Sequence, residues 1–223
     1  MAGQKAPYIA ADMYSVSKQF GRVTMGNPPL VFKDSSGNVV LTAKANWTSR
    51  GALLVDQQGK EIGTIKKKGI SITSKATYQF LDGSNNQIGQ VTIRTGMFGM
   101  SENISLQDPT GNPVAAATGN FAGFNYEITD VDGKKTLAKI YRSGSQNQQG
   151  GGLKGLLTSV AGAAMSSMMG AYTIEIVDKT INDMSRLFIL ELVVVLDEMY
   201  RQNTGGGFNV GGAGIGGGPA IKL

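Results

Sequence analysis

A four-residue pattern, Asp-x-x-Gly, recurs along this chain between short stretches in which apolar and polar residues tend to alternate. It occurs at 34–37, 56–59, 108–111 and 130–133, and residues 82–85 are a variant that ends in Asn85. An Asp that opens a type I turn can accept hydrogen bonds from backbone amides ahead of it, and Gly or Asn tolerates the left-handed backbone that closes a hairpin with a bulge. Each match therefore predicts one β-hairpin. Successive aspartates lie 22 or 26 residues apart, a spacing too short for helical crossovers between parallel strands. The chain should form an antiparallel meander.

The flanks supply the strands. Residues 30–33 and 38–43 border the first turn, 52–55 and 60–65 the second, 77–81 and 87–94 the third, 103–107 and 113–117 the fourth, and 124–129 and 134–140 the fifth. With 13–19 before them and 172–177 after them, the expected total is about twelve strands. Residues 68–75 would form a further strand or extend a neighbour. The composition agrees, since Gly is abundant at 32 of 223 residues and aromatic residues make up 7%.

Residues 183–200 break this rhythm. Leu187, Phe188, Ile189 and Leu190, then Leu192, Val193, Val194, Val195 and Leu196, follow one another with no turn signal. Such length favours a helix, with Asp183 as the candidate N-cap, and a helix that is apolar on nearly every side must be enclosed. Arg186, Glu191, Asp197 and Glu198 interrupt the run, so a transmembrane span is not expected. About eight strands close a barrel whose interior side chains can fill. Twelve need a plug, and Leu187, Phe188, Leu190, Val193, Val194 and Leu196 are the residues suited to form it. Glu191 then becomes a buried carboxylate in need of a partner, and either a structural or a functional role is open to it.

The chain has no Cys and no His. That removes disulfides, thiolate ligands, the commonest zinc ligand and the commonest general base. No metal site, cofactor or catalytic constellation is evident. The chain reads as non-catalytic, with carboxylate pairs or a Ser/Lys arrangement the remaining routes to an enzyme. Its 21 basic and 16 acidic residues leave a net charge of +5, which suits an anionic partner but lacks the dense basic stripe of a specific nucleic-acid binder.

The ending Tyr172, Thr173, Ile174, Glu175, Ile176, Val177, a short polar stretch, Asp183, and an apolar helix closing in Leu196, Asp197, Glu198 resembles the Tubby C-terminal-like superfamily. Within it the chain is more similar to the LURP-one-related proteins than to the phospholipid scramblases, and the Asp-x-x-Gly hairpins extend the likeness over most of residues 13–200. The resemblance implies a mainly β fold, a twelve-stranded antiparallel closed barrel around one buried C-terminal hydrophobic helix. It also implies candidate functions, since Tubby proteins bind phosphoinositides and scramblases act on membranes. Unlike scramblases, this chain has no acidic segment beside its helix beyond Asp178 and Asp183 and no cysteine-rich region, so scramblase-like activity is the weakest of these.

The expected organisation is an N-terminal arm at 1–12, a single barrel domain at 13–200 with a Gly/Met-rich insertion at 143–171, and a Gly-rich tail at 201–223. Lys66, Lys67 and Lys68 form the densest basic cluster, with Lys60 and Lys75 nearby. They are candidates for gripping an anionic lipid headgroup, or else a solvated strand end, although alternate lysines on a strand project to opposite faces. The insertion carries Leu153, Leu156, Leu157, Val160, Ala164, Met165, Met168 and Met169 at helical spacing, suited to a membrane, a partner groove or its own barrel. Residues 212–217 satisfy the letters of a dinucleotide fingerprint but lack a strand before and a helix after. The stretch from Asp130 hints at a calcium loop, but Tyr141 stands where a Glu is required and its Gly is in the wrong place, so a hairpin turn is the simpler reading.

Binding to an anionic membrane lipid or a protein partner is thus the first functional expectation. A self-assembling protein using the insertion and tail is the second, with the oligomeric state left open. Residues 1–12 hold no signal-peptide core and Gly stands at position 3 rather than 2, so the expected location is cytoplasmic, peripheral at membranes.

Overall fold

The structure is a computed structural model that describes residues 6–19, 28–46, 51–69, 75–95, 102–120, 125–142 and 172–203. A short helix α1 (Pro7–Ala10) precedes twelve strands: β1 (Met13–Lys18), β2 (Leu30–Lys33), β3 (Val39–Asn46), β4 (Gly51–Asp56), β5 (Glu61–Lys68), β6 (Lys75–Asp82), β7 (Gln87–Thr95), β8 (Glu102–Gln107), β9 (Pro113–Asn120), β10 (Asn125–Thr129), β11 (Thr136–Arg142) and β12 (Tyr172–Ile176). A long helix α2 (Asp183–Asn203) ends the described chain. Every strand pairs antiparallel with its neighbours in sequence, and β1 pairs with both β2 and β12, which closes the barrel. The insertion expected at 143–171 and residues 204–223 of the tail lie outside the described residues, as do 70–74 of the further strand.

The five turns form as the Asp and Gly chemistry dictates. In the first, Asp34 Oδ1 accepts the amides of Ser36 and Asn38 at 2.9 Å each, and the Gly37 amide returns to the Asp34 carbonyl at 3.0 Å. Gly37, Gly59, Gly111 and Gly133 hold positive φ, and Asn85 does so at 64°. Each hairpin also shifts register by one residue just before its Asp, the bulge that follows from a type I turn closed by a left-handed residue. Because the strands alternate in direction, all five turns line one end of the barrel.

Helix α2 enters from that turn end. Its N-cap is Asn182 rather than Asp183: Asn182 Oδ1 accepts the Ser185 amide at 2.8 Å and its carbonyl accepts the Arg186 amide. Both residue types cap well, and the extra residue of non-helical backbone after the Asp178 turn settles the choice in favour of Asn182. From Phe188 to Leu196 every residue of the helix is buried, while Leu187 of the expected plug is half-buried. Phe188 packs against Phe80 of β6 with ring centroids 5.6 Å apart. The space it fills is opened by Gly89 on β7, where a Cβ would lie 2.3 Å from the ring.

Residues 6–12 of the expected N-terminal arm pack on the turn end, with Ile9 buried. Arg186, also buried, donates to the Ala11 carbonyl at 2.9 Å and to Asp12 Oδ1 at 3.1 Å. Partial burial opposes the charge on Asp12, but hydrogen bonds from Lys179 and Arg186 hold its carboxyl below the usual value. At the opposite end Asp197 accepts the Tyr172 hydroxyl at 2.6 Å and pairs with Lys18 at 3.0 Å. Among the described residues, no helix is long and apolar enough to cross a membrane.

Candidate functional site

Strand periodicity divides the three lysines. Register places Lys66 opposite Gln79, Lys67 opposite Tyr78 and Lys68 opposite Thr77. Tyr78 is buried in the barrel, so Lys67 shares the inward face, with its ammonium 5.8 Å from the Tyr78 ring centroid at the end opposite the turns. Lys66 and Lys68 face outward. Lys60 lies in the turn after Asp56 at the other end, its amide held by that carboxylate.

On the outer face Lys68 joins two cations that are distant in sequence. Lys75 of β6 stands directly opposite Arg94 of β7, one position along the sheet from the pairing of Thr77 with Thr92. Lys68, Lys75 and Arg94 line one groove of about 680 Å³ with Thr77, Gln90, Thr92, Asn103, Ser105, Gln107 and Thr118, and no carboxylate lines it among the described residues. All three cations are exposed. The inward residues between these positions, Tyr78, Phe80, Val91, Ile93, Ile104 and Leu106, are core, so the floor of the groove is the rigid wall of the barrel.

Three cross-strand rows organise the groove. Lys66 leads to Gln79, Gln90 and Gln107; Lys68 leads to Thr77, Thr92 and Ser105; Lys75 leads to Arg94, Asn103 and Thr118. The first two rows begin at a cation and continue into neutral amides or hydroxyls, and the third has two cations before its amide and hydroxyl. Gln90 donates to Gln107 at 2.7 Å and Gln79 to Gln87 at 2.9 Å, so the amides are held in place while retaining hydrogen-bonding capacity. Lys75 and Arg94 stand directly opposite each other in register, so positive charge is concentrated along one side of the groove. The arrangement suits a ligand that is anionic at one side and hydroxyl-bearing at the other.

Glu191 lies elsewhere, in the middle of α2. It is fully buried, neither carboxyl oxygen has a hydrogen-bond partner among the described residues, and Oε1 faces Gly63 of β5, 3.8 Å from where a Cβ would stand. Burial pushes its carboxyl well above the ordinary glutamate value. Asp130, in the calcium-like stretch, accepts the amides of Lys134 and Lys135 in its own turn. Among the described residues, no group of three or more acidic side chains is placed to hold a metal ion.

The sequence singled out Lys68 and set Lys75 beside it, but missed Arg94 and the polar rows. No local signal carries them, because they converge only through strand register.

Comparison with known proteins gives the same architecture a family. No curated protein matches the chain. Among solved structures, the X-ray structure of a protein from Arabidopsis thaliana is similar at 12% sequence identity and a TM-score of 0.36, covering 87% of this chain and 96% of that one. The profile of the LURP-one-related family matches residues 23–197, from before β2 to the ion-paired Asp197 of α2. On that match, which spans most of the barrel and its helix, the chain belongs to the LURP-one-related family.

Proposed function

We propose that this protein is a non-catalytic binding module that docks by the outer face of β5–β9 onto an anionic membrane surface, seating a phosphoinositide-like headgroup in the groove. The observation that carries this reading is the gathering of Lys68, Lys75 and Arg94 around one groove. The neutral rows beyond the cations would accept and donate hydrogen bonds to headgroup hydroxyls, while the cations meet the phosphate. On the opposite rim, the aspartates of the five turns bond their own turn backbones and face away from the bilayer in this pose.

Each basic residue close to an anionic surface contributes about 1 kcal/mol. Three give roughly 3 kcal/mol, enough for reversible, salt-sensitive attachment. Vesicle flotation tests this. The full chain should float with vesicles containing phosphatidylinositol phosphates and not with neutral phosphatidylcholine. A Lys68→Ala, Lys75→Ala, Arg94→Ala variant should lose about two orders of magnitude in partitioning. Lys67→Ala should leave flotation unchanged, because that side chain faces the barrel mouth. Failure of the wild-type chain to float with any anionic vesicle would refute the membrane reading and leave an acidic protein segment as the ligand to try against the same groove.

A further inference from the structure

Strand β1 and helix α2 run side by side from the turn end to the opposite end, and they are joined by charge at both ends. Before β1 stands Asp12, and β1 ends at Lys18. On α2 the order is reversed, with Arg186 near the start and Asp197 further on. Asp12 pairs with Arg186 at 3.1 Å and Lys18 with Asp197 at 3.0 Å. Six steps along a tilted barrel strand span about 20 Å and eleven helical steps span about 16 Å, so strand tilt and side-chain reach bring both couples together.

Neither helix charge serves the helix itself. A cation close to a helix N-terminus opposes the macrodipole. Asp197 lies more than a turn from the end of α2, out of reach of that dipole, and it is buried, which costs desolvation. Arg186 is nonetheless held by four acceptors: the carbonyls of Ile9, Ala11 and Lys179 and the carboxylate of Asp12. Three of the four come from the segment leading into β1. Asp197 takes Lys18 from β1 and the Tyr172 hydroxyl from β12, the two strands whose pairing joins the ends of the sheet. The same segment is also held by the Lys179 ammonium on Asp12 Oδ2 at 3.1 Å and by the bond from the Ile176 amide to the Asp12 carbonyl at 2.8 Å.

We infer that these two couples form a lock between strand and helix: they make closure by β1 and seating of the helix a single event. Buried ion pairs that specify one arrangement at some cost in stability are an attested use of such groups.

The test is a pair of double-mutant cycles on the full chain, read by urea unfolding and by amide hydrogen exchange. The variants are Asp12→Asn with Arg186→Met, and Lys18→Met with Asp197→Asn, the last retaining an acceptor for Tyr172. Each couple should show a coupling of about tenfold in the unfolding constant, and Asp12→Asn or Lys18→Met alone should lower protection in β1 and in α2 together. Should Arg186→Met fail to fold, the Lys18/Asp197 cycle and the exchange pattern of Asp12→Asn decide the matter. Additive effects in the cycle, or loss of protection in β1 with α2 unchanged, would overturn the lock.

Discussion

Replacing Glu191 with Leu should stabilise the protein, and by an amount that grows with pH. In the native state the carboxyl is fully buried and neither oxygen has a hydrogen-bond partner among the described residues. An unsatisfied buried polar group costs about 1–3 kcal/mol, and Leu is similar in size, so removal should gain about 2 kcal/mol even where the acid is neutral. The pH dependence follows from burial, which raises the folded value well above 4.5. Between the unfolded and folded values the native state holds one proton more than the unfolded state, so stability falls as pH rises. This contribution is whole below about pH 4.5 and is lost progressively as the pH climbs to the value at which the buried group itself ionises. The slope reaches at most about 1.4 kcal/mol per pH unit for one proton. Urea unfolding of wild type and Glu191→Leu at intervals from pH 5 to pH 8, at fixed ionic strength, isolates this group because other titrations cancel in the difference. The gap should widen steadily with pH. At the acid end, a gain of about 2 kcal/mol corresponds to roughly 4–8 °C in Tm for a chain of this size. Parallel curves would refute the reasoning, since they require a carboxyl with the same proton affinity in both states.

Gly89→Ala should destabilise the barrel by about 1–3 kcal/mol through overpacking, since its Cβ would fall 2.3 Å from Phe188 and 2.8 Å from the Gln107 carbonyl. Combining it with Phe188→Leu should cost less than the sum of the two, measured by chemical denaturation, because the ring clash is shared and the carbonyl clash is not. Asn182→Ala should cost about 1 kcal/mol by removing the cap of α2, whereas Asp183→Ala should cost less; equal losses in thermal unfolding would return the cap to Asp183.

The parts of this fold that were legible in the sequence are those fixed by local chemistry. An Asp that accepts its own turn amides and a Gly or Asn with positive φ act within a few residues, so all five hairpins were visible. The central helix was visible because its apolar run is too long for a strand and too polar for a span. Its cap was misplaced by one residue because Asn182 and Asp183 are equally competent, and only the backbone separates them. The groove was legible only in part. Lys68 is conspicuous in sequence, but its neighbours in sequence point elsewhere and its neighbours in space are set by pairings across three strands.

Those pairings depend on the bulges. In the β6–β7 hairpin, Leu81 pairs with Gln87 beside the turn, and beyond the bulge Phe80 pairs with Gly89. Without the extra residue, Phe80 would meet Ile88 and Tyr78 would meet Gln90. The polar alternates of β7 would then share a face with the buried aromatics of β6, and a one-residue slip moves every side chain of a strand to the other face. The bulge restores Tyr78 opposite Val91 inside and sets Lys75 opposite Arg94 outside. The same turn from Asp82 to Asn85 that makes the hairpin therefore also decides that Lys75 and Arg94 meet one another on the outer surface. A groove assembled in this way is inherited from turn chemistry at the far end of the barrel.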